Sequence, residues 1–180
     1  MSTKQLTGGT RDVNPQWMKA TNALTVADQY LENVIHLPVT RIPQSQRATI
    51  IEILKVFWFW QPQSIATATE ATDRIICNLT TTTQTGLVNN DHPSIIDRLE
   101  VSRLGAFTAG GTFSDSTIMP VVHDLTDGAG HGVLVATDNL YFSQDTVGLA
   151  STHTATCWIL YRFKSVGILE YVGIVQSQQN

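Results

Sequence analysis

Apolar and polar residues alternate with a period of two over most of the chain, and turn-forming residues interrupt the alternation at short intervals. Eight β-like segments result: residues 30–39, 48–60, 73–82, 98–107, 117–123, 131–142, 152–163 and 167–175. The second carries the strongest signal, with Ile50, Ile51, Ile53, Leu54 and Val56 leading into Phe57-Trp58-Phe59-Trp60. Apolar groups fall on both of its faces, with Glu52 and Lys55 expected on opposite ones, which predicts a strand covered on both sides over part of its length. Four consecutive aromatics ahead of Gln61-Pro62 favour a strand over a helix. In 152–163, Trp158, Leu160 and Arg162 oppose Cys157, Ile159, Tyr161 and Phe163. Turns are signalled at Asn89-Asn90-Asp91-His92-Pro93, Ala109-Gly110-Gly111 and Asp127-Gly128-Ala129-Gly130.

Eight short strands without intervening helices predict an all-β fold, an eight-stranded antiparallel jelly-roll sandwich. An up-and-down barrel around a small ligand is the alternative, because periodicity does not separate the two. With the segments lettered B to I in order, one sheet pairs B, I, D and G and the other C, H, E and F. Segments 48–60 and 152–163 are then neighbours. Residues 1–29 lack a sustained pattern and are read as an N-terminal arm, leaving 30–180 as the jelly-roll domain.

Charged residues make up only 14% of the chain, well below an ordinary soluble domain, while hydrophobic residues make up 42%. Threonine, serine, glutamine and asparagine must therefore cover much of the surface, a composition suited to sheets and to close subunit contact. Cys77 and Cys157 sit in apolar runs on segments assigned to opposite sheets, so two buried free thiols are expected. No run approaches the roughly 20 apolar residues of a membrane helix, and residues 1–10 contain no apolar leader core.

Catalytic chemistry finds little support. The densest group of metal-ligating side chains runs from His123-Asp124 through Asp127 to His131, but it lacks the alternating carboxylates and later glutamate of a calcium loop. A solvated Asp-Gly turn is the simpler reading. His153 and Cys157 would lie about 13 Å apart along a strand, too far for a base and its nucleophile. No Gly-x-Ser-x-Gly turn and no phosphate-cradling glycine loop is present. Trp58 and Trp60, inside an apolar run, are expected in the core and not on a sugar-stacking surface. The expectation is a protein without metal, cofactor or enzymatic activity.

Two stretches carry a resemblance. Ile50-Ile51-Glu52-Ile53-Leu54-Lys55-Val56-Phe57-Trp58 resembles an early strand, and Glu170-Tyr171-Val172-Gly173-Ile174-Val175-Gln176-Ser177-Gln178 a closing strand, in capsid proteins of small circular Rep-encoding single-stranded DNA viruses. The resemblance implies a single jelly roll that self-assembles into an icosahedral shell, of about sixty copies, around circular single-stranded DNA in a virion. A lectin-like or receptor-binding sandwich is the alternative, and a host receptor would be a further partner. Arms in such proteins are usually arginine-rich, whereas residues 1–29 offer Lys4, Arg11 and Lys19 against Asp12 and Asp28, a net of +1, with −5 on the remainder. These three cations are the candidate nucleic-acid contacts, and their grip is weak. If the end of a jelly roll bearing its B–C, D–E, F–G and H–I loops surrounds a fivefold axis, Asp124, Asp127, Gly128 and Lys164 are the subunit-interface candidates.

Overall fold

The computed structural model describes residues 14–38, 47–61, 72–104, 120–149 and 152–178. Nine strands and one helix follow in order: β1 (Gln16–Ala23), β2 (Leu31–His36), β3 (Arg47–Gln61), β4 (Thr72–Thr80), β5 (Ile95–Leu104), β6 (Val121–Asp124), β7 (Val133–Val135), β8 (Asn139–Val147), β9 (Thr154–Gly167) and α1 (Ile168–Gln178). One sheet runs β1-β9-β3-β6, with β7 also on β3; the other runs β2-β8-β4-β5. Every ladder is antiparallel. Since β6 and β7 are two pieces of one edge position along β3, the chain fills the eight jelly-roll positions B to I in order. The sheets are then B-I-D-G and C-H-E-F, and the fold is the predicted sandwich.

The lettering, however, moves by one strand at each end. Segment 48–60 is strand D and segment 152–163 is strand I; they pair as expected, but in the B-I-D-G sheet. At the front, part of the expected arm is strand β1, laid along β9 from Gln16↔Tyr161 to Ala23↔Thr154. Its pattern is disguised because the inward positions are Met18, Ala20 and the fully buried Asn22. The Asn22 amide donates to the carbonyls of Leu31 at 2.8 Å and Phe142 at 3.1 Å, so a polar residue occupies a core position with its donors satisfied. Of the expected arm, residues 1–13 lie outside the described residues. At the back, the expected strand 167–175 is instead helix α1, whose Tyr171, Ile174 and Val175 follow helical spacing onto the sheet.

Segment 131–142 also divides. Val133–Val135 pairs with β3, and the chain then crosses to the other sheet as β8. The main core lies between the sheets around Ile51, Ile53, Val56, Trp58, Trp60, Ile75, Leu79, Leu140, Phe142 and Ile159. Trp58 and Trp60 are both buried there, and the Trp58 ring lies 5.6 Å from Phe142. Burying each such side chain contributes about 1.5–3 kcal/mol. A bulge between Ile53 and Lys55 changes which parity faces this core, from Ile51 and Ile53 to Val56 and Trp58. Glu52 opposite Arg162 and Lys55 opposite Leu160 consequently share the outer face, where strict alternation would separate them.

Cys77 on β4 and Cys157 on β9 are free, buried and in opposite sheets, as expected. A second, smaller apolar cluster lies outside the B-I-D-G sheet, where Tyr171, Ile174 and Val175 cover Ala48, Ile50, Ala136 and Val166. Gln178 fixes the far end of the helix. Its side-chain amide donates to the Leu134 carbonyl and accepts from the Ala136 N–H at 3.1 Å, blunting the free edge of β7.

Candidate functional site

The outer face of the B-I-D-G sheet holds most of the unusual chemistry. At its middle, the carboxylate of Glu52 is buried beneath the β6–β7 loop. It accepts from Arg162 Nε at 2.6 Å and from the Gly132 N–H at 3.0 Å, with Lys164 Nζ at 3.8 Å. Burial alone would raise its pKa; the Arg162 and Gly132 hydrogen bonds and the charges of Lys164 and Arg162 outweigh that and hold it below the usual range. Arg162 also donates to the Gly130 carbonyl at 2.9 Å. The loop is closed from within by Asp127, whose carboxylate accepts from the N–H groups of Ala129 and His131. Gly128 and Gly130 take the positive φ values of 81° and 87° that this tight turn requires. The Asp-Gly segment is therefore a turn, as read from its composition.

The interface candidates fall around this cluster without converging on a sandwich tip. Asp124 forms an ion pair with Lys55 at 2.8 Å and caps Thr126, which lowers its pKa to about 2. Asp127 and Gly128 lie in the turn, and Lys164 meets the same loop through Glu52. Glu52 organises the group and was not singled out from the sequence as an organiser, although a carboxylate inside an apolar run is itself a signal of a buried partner. The one-strand shift in lettering also inverts the expected end of the sandwich. Residues 81–94 connect strands E and F, and the link between β2 and β3 is C–D, so both belong to the end opposite the B–C and H–I loops. Among the nucleic-acid candidates, Lys4 and Arg11 lie outside the described residues. Lys19 is exposed on β1 with its ammonium 5.9 Å from the Trp158 ring centroid.

Lys19 borders an aromatic shelf at one end of the same face. Trp17 approaches Phe57 with ring centroids 5.0 Å apart and Trp158 at 6.2 Å, while Phe59 lies 5.8 Å from Trp158. Trp17 and Trp158 remain 51% and 42% exposed, a large aromatic area for a domain to leave in water. The pairing of β1 with β9 creates this shelf, so a reading that treated residues 16–23 as an arm could not find it.

Two polar features lie elsewhere. Between the sheets, the buried Asp97 carboxylate accepts from Trp58 Nε1 at 2.8 Å and pairs with His123 Nδ1 at 2.7 Å. This resembles the base and orienting half of a catalytic triad, yet no hydroxyl or thiol is hydrogen-bonded to His123 among the described residues. The pair ties strand F to strands D and G. At the C–D end, a cleft of about 310 Å³ is lined by Thr81, Thr82, Thr83, Thr137, Asp138 and Tyr141 among others. Among the described residues, no group of three metal-ligating side chains occurs, and no helix is long and apolar enough to cross a membrane.

No family model and no curated protein matches the sequence. Solved structures do match. New Jersey polyomavirus VP1 aligns with a TM-score of 0.52 at 9% identity, covering 85% of this chain and 99% of that one. The chain has a jelly-roll fold like that of this VP1. VP1 of the Trichodysplasia spinulosa-associated polyomavirus, in complex with GM1 oligosaccharide, gives 0.51 at 11% identity and covers 89% and 96%. Merkel cell polyomavirus VP1, in complex with disialyllactose, gives 0.51 at 9% identity and covers 89% and 98%. At such identities the capsid-type jelly roll is a likeness of fold. These three structures are polyomavirus proteins, and none of the three comes from the Rep-encoding viruses that the two sequence stretches resemble.

Proposed function

We propose that this chain is a viral coat protein that self-assembles into a closed, icosahedral shell and resides in the virion. The observation that carries the reading is a complete B-I-D-G/C-H-E-F sandwich of capsid type whose outer sheet face leaves a large aromatic surface uncovered. An enzymatic role has no comparable support, since the Asp97–His123 pair is spent on joining the sheets. Icosahedral closure with one chain at each symmetry-related position takes about sixty copies. Asp124, Asp127, Gly128 and Lys164 remain candidates for subunit contact, with Asp124 held by Lys55 and with Lys164 and the loop bearing Asp127 and Gly128 held by Glu52 and Arg162. The packaged genome is proposed to be single-stranded DNA, with Lys4 and Arg11 as its candidate contacts. So few cations release few counterions, so nucleic-acid content should depend little on salt. Size-exclusion chromatography of the purified chain, followed by electron microscopy, tests the reading: uniform closed particles support it, and a monomer opposes it.

A receptor-binding role on the same shell is favoured by the cleft at the C–D end. Its hydroxyl, amide and carboxylate lining, including Asn139, suits the hydroxyls of a sugar. Asp138 would disfavour an anionic saccharide there, so a neutral glycan is the expected ligand. Saturation-transfer NMR with neutral and sialylated oligosaccharides distinguishes the two. Transfer to neither removes this second role.

A further inference from the structure

The first two turns of helix α1 are apolar on both sides. Tyr171, Ile174 and Val175 close over the sheet, whereas Leu169, Val172 and Gly173 point away from it. Leu169 is 86% exposed and Val172 43%. An apolar stretch on the outward side of a helix is a surface suited to being covered. Gly173 adds a second observation. It lies within the outward stripe, open space surrounds the position a Cβ would take, and glycine inside a helix is less favourable than alanine. Nothing among the described residues requires a glycine there. A group approaching the helix backbone from outside would.

The aromatic shelf lies toward the other end of the same sheet face: α1 covers Ala48, Ile50 and Val166, while the shelf surrounds Phe57 and Trp158. The two surfaces are complementary in charge as well as in apolar character. Lys19 flanks the shelf, Glu170 flanks the outward stripe of α1, and neither has an ion-pair partner among the described residues. We propose that α1 of one copy docks on the aromatic shelf of a second copy of this chain. Leu169 and Val172 would lie against the Trp17 and Trp158 rings, the gap at Gly173 would admit a ring edge, and Glu170 would face Lys19. Donor and acceptor are different patches of one chain, so the contact is heterologous and closes into a ring when the rotation permits. This inference rests on the self-assembly reading and names the surfaces that perform it.

Two full-length variants test it, each altered at an exposed side chain: Leu169→Glu on the helix and Trp158→Glu on the shelf. Wild type should elute as a large assembly, and each variant should elute as the subunit with an unchanged circular dichroism spectrum. Mixed in equal amounts, the two should form a dimer and nothing larger, because only one intact helix–shelf pair remains. The charge reversal Lys19→Glu should weaken assembly, and adding Glu170→Lys should restore it. The inference is overturned, with the shell reading intact, if both single variants assemble like wild type or if the mixture leaves two monomers. A monomeric wild type overturns both. A monomeric wild type whose tryptophan fluorescence is quenched by oligo-dT would, in addition, assign the shelf to nucleic acid.

Discussion

Gly132 occupies a position that no other residue can take without moving the β6–β7 loop. A Cβ built there would stand 2.0 Å from the Ile53 carbonyl oxygen, 2.8 Å from its carbon and 3.1 Å from Leu54 Cδ2. The first two are backbone atoms of a central strand, so relief must come from the loop, by roughly 1 Å or more if the packing is to reach ordinary contact. Such a shift breaks the 3.0 Å hydrogen bond from the Gly132 N–H to Glu52. A hydrogen bond to a charged, buried acceptor contributes about 1.5–3 kcal/mol. It also loosens the start of the β7 ladder at Val133↔Ile53, a further loss of about 0.5–1.5 kcal/mol. Gly132→Ala should therefore destabilise the subunit by about 2–4 kcal/mol. With a urea m-value of about 2 kcal/mol/M, the midpoint should fall by about 1–2 M. Tryptophan fluorescence during urea unfolding reads this, in an assembly-deficient background so that association adds nothing to stability. Gly167→Ala, with open space at its Cβ position, serves as the control and should leave the midpoint nearly unchanged. A loss below about 0.5 kcal/mol for Gly132→Ala, comparable to an ordinary surface substitution, would refute the packing of this loop against β3.

Other consequences can be checked with the same protein. Glu52→Gln should lower stability at neutral pH. Because the folded pKa of Glu52 is depressed, its contribution is fully present above the unfolded value of about 4.3 and is lost as pH falls through the folded value, so wild type and variant should converge on acidification. Equal destabilisation at pH 7 and well below pH 4 would contradict the charged cluster. Burial raises both thiol pKa values, that of Cys157 to about 12. Native protein should therefore resist alkylation at pH 8, and denatured protein without reductant should titrate two thiols; a titre of zero would mean a disulfide. A short insertion at Asn89-Asn90, exposed in the loop between β4 and β5, should leave the unfolding midpoint within about 0.5 kcal/mol of wild type. A larger loss would show that this loop tip carries packing.

Much of the architecture was legible because inward residues on the long strands are apolar at period two. The neighbouring placement of 48–60 and 152–163 and the opposed cysteines came from the jelly-roll strand order, and they hold because both members of each pair move by one letter together. Strand β1 escaped because Asn22 holds a core position through hydrogen bonds to Leu31 and Phe142, which no hydropathy pattern reports. Residues 167–175 read as a strand because Ile168, Leu169 and Val172 are apolar on the side of α1 facing away from the sheet, masking the helical stripe of Tyr171, Ile174 and Val175. Asp124, Asp127, Gly128 and Lys164 were named from loop positions alone; Lys55 holds Asp124, and the loop bearing Asp127 and Gly128 meets Lys164 through Glu52 and Arg162 on paired strands. That pairing depends on register through the bulge after Ile53, which sequence alone does not specify.

The mass and shape of the purified chain in solution bear most directly on whether it builds a shell. About sixty copies of a 19.8 kDa chain amount to on the order of 1.2 MDa. Light scattering behind size-exclusion chromatography should find a species of that order, and negative-stain electron microscopy of the same fraction should show uniform closed particles. A single peak at the mass of one chain, unchanged as the protein is concentrated, would contradict the coat-protein reading.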